Sequence, residues 1–170
     1  YPLRRQRQMC IRDSVRTAYD VDRITQRNIG DPSVIEEAAR LVVAELGDAT
    51  PLIGFAGAPF TIAAYLVEGG PSRDHLSARA MMHSDPPAWA KLMEWVADLD
   101  AAFLAAQLRG GARAVQLFDS WAGSLSASDY RASVAPFSQR ALASVDPNTP
   151  VVHFGAVSYT HLRAHETRED

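Results

Sequence analysis

Between residues 31 and 67 the apolar positions alternate between a helical and a continuous pattern. VIEEAARLVVAEL (34–46) has apolar residues at helical spacing, and it lies between Asp31-Pro32, which suits a helix start, and Gly47, which suits a helix end. PLIGFA (51–56) is a short, nearly continuous apolar run, which is typical of a strand covered on both faces. APFTIAAYLV (58–67) again predicts a helix.

Apolar stretches with helical spacing and continuous apolar runs go on alternating as far as residue 155. The further predicted elements are a helix over Asp74–His83, a long helix from Asp85 to Gly110, a strand over 112–120, a helix from Ser126 to about Val145 and a strand over 151–155. Strands that alternate with helices predict parallel pairing.

The predicted fold class is therefore α/β. A complete (β/α)₈ barrel needs roughly 250 residues, so we predict a partial TIM (β/α)₈ barrel with about three parallel strands and intervening helices. An open doubly wound sheet is the competing architecture. No strand is followed by the GxGxxG or GxxxxGK[ST] loop with which such sheets often bind nucleotide phosphates.

The two ends of the chain lack this pattern. Met9–Asp13 can be encoded by ATG-TGT-ATA-AGA-GAC, and its reverse complement, GTC-TCT-TAT-ACA-CAT, encodes Val157–His161. The ends can thus carry one DNA element in opposite orientations, and this element resembles the transposase end of a sequencing-library adapter. We predict that residues 1–14 and 157–170 are adapter-derived and that residues 15–156 are an interior slice of the barrel.

Composition narrows the function classes. The chain has 170 residues, of which 47% are hydrophobic and 22% charged, as in one globular domain. No apolar run approaches the roughly 18–20 residues of a membrane span, and a net charge of −3 argues against nucleic acid as a partner. The single cysteine, Cys10, lies in the predicted adapter segment, so no disulfide or thiolate is expected.

Candidate chemistry lies where the three predicted strands end, because α/β enzymes place their sites there. Each candidate also has a structural explanation. A tyrosine in an apolar helix is often a core residue, an Asp-Ser pair often caps a turn, and a histidine in a strand is often a hydrogen-bonded core residue. The candidates are Phe55, Tyr65 and Glu68 after the first strand, Phe118, Asp119 and Ser120 at the second, and His153 at the third.

Two long stretches, PLIGFAGAPFTIAAYLVEGGPSR (51–73) and AVQLFDSWAGSLSASDY (114–130), closely resemble the uroporphyrinogen decarboxylase family. The segment 15–24 and the strand at 151–155 fit it as well. The resemblance implies a cytoplasmic, homodimeric (β/α)₈ barrel without metal or organic cofactor. It also implies removal of the four acetate carboxyls of uroporphyrinogen III, which gives coproporphyrinogen III in haem biosynthesis.

The resemblance also assigns roles to residues. Tyr65 matches the active-site tyrosine of the family, whose hydroxyl can hydrogen-bond either a substrate carboxylate or the acid that holds the pyrroles. Ser120 matches a hydroxyl residue that contacts a substrate carboxylate, and Phe55 and Phe118 would form apolar walls beside the tetrapyrrole. Glu68 is expected to be structural, because a carboxylate facing a polyanionic substrate would repel it.

Three parts of the family pattern are missing from this sequence: an N-terminal Arg-Gln-Ala-Gly-Arg stretch, an Asp that faces the pyrrole N–H groups, and a later His. Arg4-Arg5-Gln6-Arg7 is similar to the first but lies in the predicted adapter. We therefore expect this chain alone to be inactive and to fold poorly. The alternatives are a corrinoid- or zinc-dependent methyltransferase of the same superfamily, and a non-catalytic truncated barrel.

Overall fold

The computed structural model describes residues 14–155, in which helices and strands alternate. Apart from Ser14, the predicted adapter segments lie outside the described residues. The elements in chain order are α1 (Ala18–Thr25), α2 (Ser33–Leu46), β1 (Ile53–Gly57), α3 (Pro59–Glu68), α4 (Leu76–Ser84), α5 (Pro86–Arg109), β2 (Ala114–Asp119), a 3₁₀ turn (Ala122–Ser124), α6 (Ala127–Ser133), α7 (Ala135–Leu142) and β3 (Val151–Gly155).

The three strands form one sheet in the order β1-β2-β3, and both neighbouring pairs are parallel. Ala56 of β1 lies beside Leu117 of β2, which lies beside His153 of β3. The carboxyl ends of all three strands therefore meet at one edge of the sheet. This arrangement confirms the predicted α/β class and is consistent with one part of a (β/α)₈ barrel.

Helices cover one face of the sheet. On this face Ala56, Val115 and Leu117 are buried. The opposite face is open in the described part of the chain, where Ile53 is 52% and Phe55 is 55% exposed. The prediction that β1 is covered on both faces is therefore wrong for the described residues, since only the helical side is present.

The longest helix, α5, organises the helical layer. Its first turn contains Pro86, and the side chain of Asp85 accepts a hydrogen bond from the N–H of Ala88 at 3.1 Å. The helix packs against α1, α2, α3, α4 and α7 and against β1 and β2. Its buried apolar residues include Trp89, Leu92, Met93, Val96 and Leu104. They lie on the face of the helix that the spacing of its apolar residues predicts to be buried.

Two elements differ from the sequence prediction. The single helix predicted from Ser126 to Val145 is broken at Val134 into α6 and α7. Pro136 lies in the first turn of α7, and its missing N–H cannot continue a helical hydrogen-bond ladder. Helix α1 was not predicted, although the Thr17 and Asp20 side chains form a capping box at its start.

No helix within residues 14–155 is both long and apolar enough to cross a membrane.

The contact between α5 and α2 has no room for a side chain at Gly110. A Cβ there would lie 2.5 Å from the backbone oxygen of Glu36 and 2.6 Å from the Cβ of Ala39. In a protein that contains the complete barrel, we expect Gly110→Ala to lower the free energy of unfolding in urea by about 1–3 kcal/mol, because the two helices must separate. Gly70→Ala is the matched control, since a Cβ at Gly70 meets no atom within 4 Å. Equal stability of both variants would contradict the prediction.

Candidate active site at the carboxyl ends of the strands

A row of three aromatic rings lies across the open face of the sheet. The ring centroids of Phe55 and Phe118 are 5.9 Å apart at 80°, and those of Phe118 and Phe154 are 5.9 Å apart at 62°. Such edge-to-face pairs are favourable beyond their apolar contact. The structure therefore brings the predicted residues Phe55 and Phe118 together and adds Phe154, which the sequence analysis did not select. The strict alternation of strand side chains places Phe154 on this face.

The backbone of Phe55 is held by a side chain from α5. The Oε1 of Gln107 accepts a hydrogen bond from the N–H of Phe55 at 2.9 Å, and its Nε2 donates one to the carbonyl of Phe55 at 2.9 Å. The approach needs Gly54, because a Cβ there would lie 3.1 Å from the Cβ of Gln107. Gln107 thus fixes the position from which the Phe55 ring projects.

Tyr65 lies on α3 and reaches the turn after β2. Its ring is 45% exposed, so the alternative of a buried core tyrosine is wrong. The centroid of its ring is 4.0 Å from that of Trp121, with 34° between the planes. Ser120, which is exposed, directly precedes Trp121. The structure therefore brings Tyr65 beside the turn that carries the other predicted hydroxyl.

Asp119 points away from this open face and into the helical layer. It is fully buried, and its Oδ1 accepts a hydrogen bond from the hydroxyl of Thr61 at 3.1 Å. Its Oδ2 lies 3.6 Å from the Nε2 of His153, whose side chain is 12% exposed. His153 is therefore half-buried on the helical face of the sheet, whereas Asp119 bonds to a neighbouring helix instead of capping its own turn.

A second buried carboxyl, Asp100, lies near Asp119. Asp100 belongs to α5 and is 4% exposed. Burial, and secondarily the negative charge of Asp119, raises the pKa of Asp100 to about 8. Asp100 therefore holds its proton near neutral pH. Asp100 was not among the predicted site residues, although an Asp four residues from both Val96 and Leu104 interrupts the apolar face of α5 and is a local signal for it.

Burial also raises the pKa of the Tyr130 phenol well above its usual range, with the charge of Asp119 as a further cause. Tyr130 lies on α6 and is 5% exposed. It therefore remains a neutral part of the buried side of the site.

Glu68 is used inside the fold. Its Oε1 accepts hydrogen bonds from the backbone N–H groups of Ser77 at 2.8 Å and Ala78 at 3.1 Å. These groups lie in the first turn of α4, where N–H groups have no helical partner. The carboxylate of Glu68 therefore fastens the end of α3 to the start of α4, which agrees with its expected structural role. Among residues 14–155, no group of three or more His, Cys, Asp or Glu side chains is placed to hold a metal ion.

Parallel β/α units are typical of the (β/α)₈-barrel class, whose enzymes place their sites at the carboxyl ends of the strands. The family profile described as "Uroporphyrinogen decarboxylase (URO-D)" matches residues 4–167. The chain therefore belongs to the uroporphyrinogen decarboxylase family.

Curated relatives carry the same description. The chain is similar to the uroporphyrinogen decarboxylase of Leifsonia xyli subsp. xyli, with 51% identity over 92% of the chain and 48% of the relative. It is 58% identical to that of Arthrobacter sp. (strain FB24) over 83% of the chain and 41% of the relative. It is 53% identical to that of Salinispora tropica over 85% of the chain and 39% of the relative. The chain thus spans less than half the length of these relatives.

The buried proton of Asp100 makes stability depend on pH. The carboxyl titrates near 3.8 in the unfolded chain and near 8 in the folded one. Between these values the folded state binds a proton that the unfolded state does not, so stability falls as the pH rises. Asn cannot titrate. The measurement is urea denaturation of a protein that contains the complete barrel. The free energy of unfolding of Asp100→Asn should rise relative to that of the unchanged protein from pH 5 to about pH 8.

Asp100→Leu also removes the titrating carboxyl. Its free energy of unfolding, relative to that of the unchanged protein, should therefore rise with pH by the same amount, although the difference at any one pH will not be the same as for Asp100→Asn. A stability difference that stays constant over this pH range for both variants would contradict the assignment.

Proposed function

We propose that the chain is part of a longer uroporphyrinogen decarboxylase, a carboxy-lyase. The enzyme would remove the four acetate carboxyls of uroporphyrinogen III and give coproporphyrinogen III in haem biosynthesis. Family membership and the name that the relatives share support this proposal. Two structural observations carry it: the aromatic row of Phe55, Phe118 and Phe154, and the stacking of Tyr65 on Trp121, which directly follows Ser120 at the end of β2.

The aromatic row supplies an apolar wall for the tetrapyrrole. Phe55 and Phe154 are about half exposed, so their rings have surface available for a ligand. A carboxylate that lies against such a wall loses water, and this favours its departure as neutral carbon dioxide. The same dry surroundings strengthen the remaining polar contacts.

Tyr65 and Ser120 supply hydroxyl donors at the edge of this wall. The Tyr65 phenol would donate a hydrogen bond to the carboxylate at the reacting pyrrole and act as the catalytic residue of this segment. The Ser120 hydroxyl would donate to a substrate carboxylate and fix the orientation of the ring system. Neither group protonates the pyrrole carbon that must accept a proton. The family resemblance assigns that chemistry to groups absent from this sequence, so residues 15–156 alone would be inactive.

The remaining properties follow from the same family. The longer protein would be a cytoplasmic homodimer that needs no metal or organic cofactor and does not bind nucleic acid. The net charge of −3 is compatible with the last point. Substrate carboxylates would be bound by arginines of the missing N-terminal segment.

The domain would be confined to residues 15–156, with adapter-derived residues on both sides. This segment has 142 residues, the length over which the Arthrobacter relative aligns. The family profile extends further, to residues 4–167, and its first matched residues include the Arg4-Arg5-Gln6-Arg7 stretch. The codon relation between Met9–Asp13 and Val157–His161 favours the shorter domain, because a conserved protein segment has no reason to repeat the other end in reverse complement.

Sequencing the source DNA outward from codons 15 and 156 tests the assignment. The proposal expects an upstream frame with the Arg-rich stretch and an Asp for the pyrroles, and a downstream frame with a further His. A downstream set of His and Cys zinc ligands would instead support the methyltransferase. Both tails found intact in genomic DNA would refute the adapter origin.

In the longer protein, Tyr65→Phe should lower kcat by about tenfold to a hundredfold, because a hydrogen bond to a charged group is lost. Coproporphyrinogen formation measures this change. Tyr19→Phe is the matched control, since Tyr19 is 75% exposed on α1. An unchanged kcat for Tyr65→Phe would refute the catalytic role of Tyr65.

Ser120→Ala should raise KM more than it lowers kcat, because its carboxylate contact would persist through the reaction. Ser144→Ala, at an exposed position after α7, controls for loss of a surface hydroxyl. A change in kcat alone would contradict the binding role of Ser120.

A further inference from the structure

His75 has an unusual backbone conformation. It follows the turn at Gly69-Gly70 and directly precedes α4. Its φ of 49° and ψ of 41° lie in the left-handed region, and among the described residues it is the one residue other than glycine with a positive φ. Residues with side chains adopt this region at a cost, and such strain persists where the surroundings impose it.

The imidazole of His75 is also buried without hydrogen bonds. The residue is 3% exposed, and neither ring nitrogen has a hydrogen-bond partner in the described part of the chain. Burial lowers the pKa of His75, which favours the neutral ring. A leucine would fill similar space without burying polar atoms, and glycine would adopt this backbone without strain. Neither would provide a planar ring.

The planar ring of His75 contacts Trp121. The two centroids are 4.3 Å apart with 33° between the planes, and the edge of Phe60 packs nearby with a centroid distance of 6.3 Å. Trp121 also stacks with Tyr65 at 4.0 Å. His75, Trp121 and Tyr65 thus form a continuous series of stacked rings that joins the turn after α3 to the turn after β2.

We propose that His75 is a positioning residue that holds the Trp121 ring against Tyr65. Through this contact it fixes the direction of the Tyr65 hydroxyl and the conformation of the turn that carries Ser120. The inference deepens the proposed function and rests on it for the part that concerns catalysis. The stacking itself is independent of the substrate and is measured separately.

The test compares three variants of the longer protein. His75→Asn removes the ring but suits a left-handed backbone, whereas His75→Phe keeps a planar ring. His83→Asn is the matched control, because the His83 side chain is 62% exposed on α4, the helix that His75 precedes. Acrylamide quenching of tryptophan fluorescence measures the exposure of Trp121, and steady-state kinetics measure kcat and KM.

His75→Asn should increase quenching, and the increase should disappear in a Trp121→Phe background. It should lower kcat about tenfold, because small displacements of a catalytic group are costly. His75→Phe should restore kcat to within about twofold, and His83→Asn should change neither readout. In a Tyr65→Phe background, His75→Asn should have an effect on kcat of less than about twofold, since the two residues act through one contact.

Several results would overturn the inference: unchanged quenching in His75→Asn, or a loss of kcat that is as large with Tyr65→Phe as without it. If His75→Asn does not fold, Trp121→Leu replaces it, because it breaks the same series with His75 in place and makes the same prediction for kcat. If the unchanged longer protein forms no coproporphyrinogen, the proposed function fails, and quenching alone then decides whether His75 holds Trp121.

Discussion

The buried carboxylate of Asp119 constrains the carboxyl ends of all three strands. A buried carboxylate requires polar partners, because its transfer from water is otherwise very costly. Its Oδ1 accepts a hydrogen bond from Thr61, which follows β1, and its Oδ2 lies 3.6 Å from the Nε2 of His153, which belongs to β3. The two contacts lie on the helical side of the sheet, and they join β2 to residues from both of its neighbouring strand units. The side chain of Phe118, which precedes Asp119 in β2, then projects to the opposite face, where the proposed ligand surface lies.

The regular elements could be predicted because each depends on a local pattern. The apolar runs at 51–56 and 151–155 are strands, and the spacing of apolar residues in α5 is helical. The predicted helix bounds were wrong where the spacing of apolar residues was not the deciding factor. Pro136 ends the hydrogen-bond ladder inside a stretch of helical composition, and α1 has too few residues for its periodicity to be evident.

The site could be predicted only in part, for a related reason. Alternation along a strand places Phe55 and Phe118 on the open face, and the family resemblance selects Tyr65 and Ser120. The stacking of Tyr65 on Trp121 joins residues 56 positions apart. The pKa of Asp100 is raised first by burial among other elements and then by the charge of Asp119. Neither interaction can be predicted from local sequence, because both depend on how α3, α5 and β2 pack together.

The amide of Gln107 has a consequence for the exposed edge of β1. An edge strand normally offers unpaired N–H and C=O groups to any other strand, and this is a common route to aggregation. At Phe55 both groups are already bonded to one side chain from α5. A neighbouring strand of the longer barrel that paired with this edge would have to displace the Gln107 amide from Phe55 before it could form a regular ladder with the centre of β1.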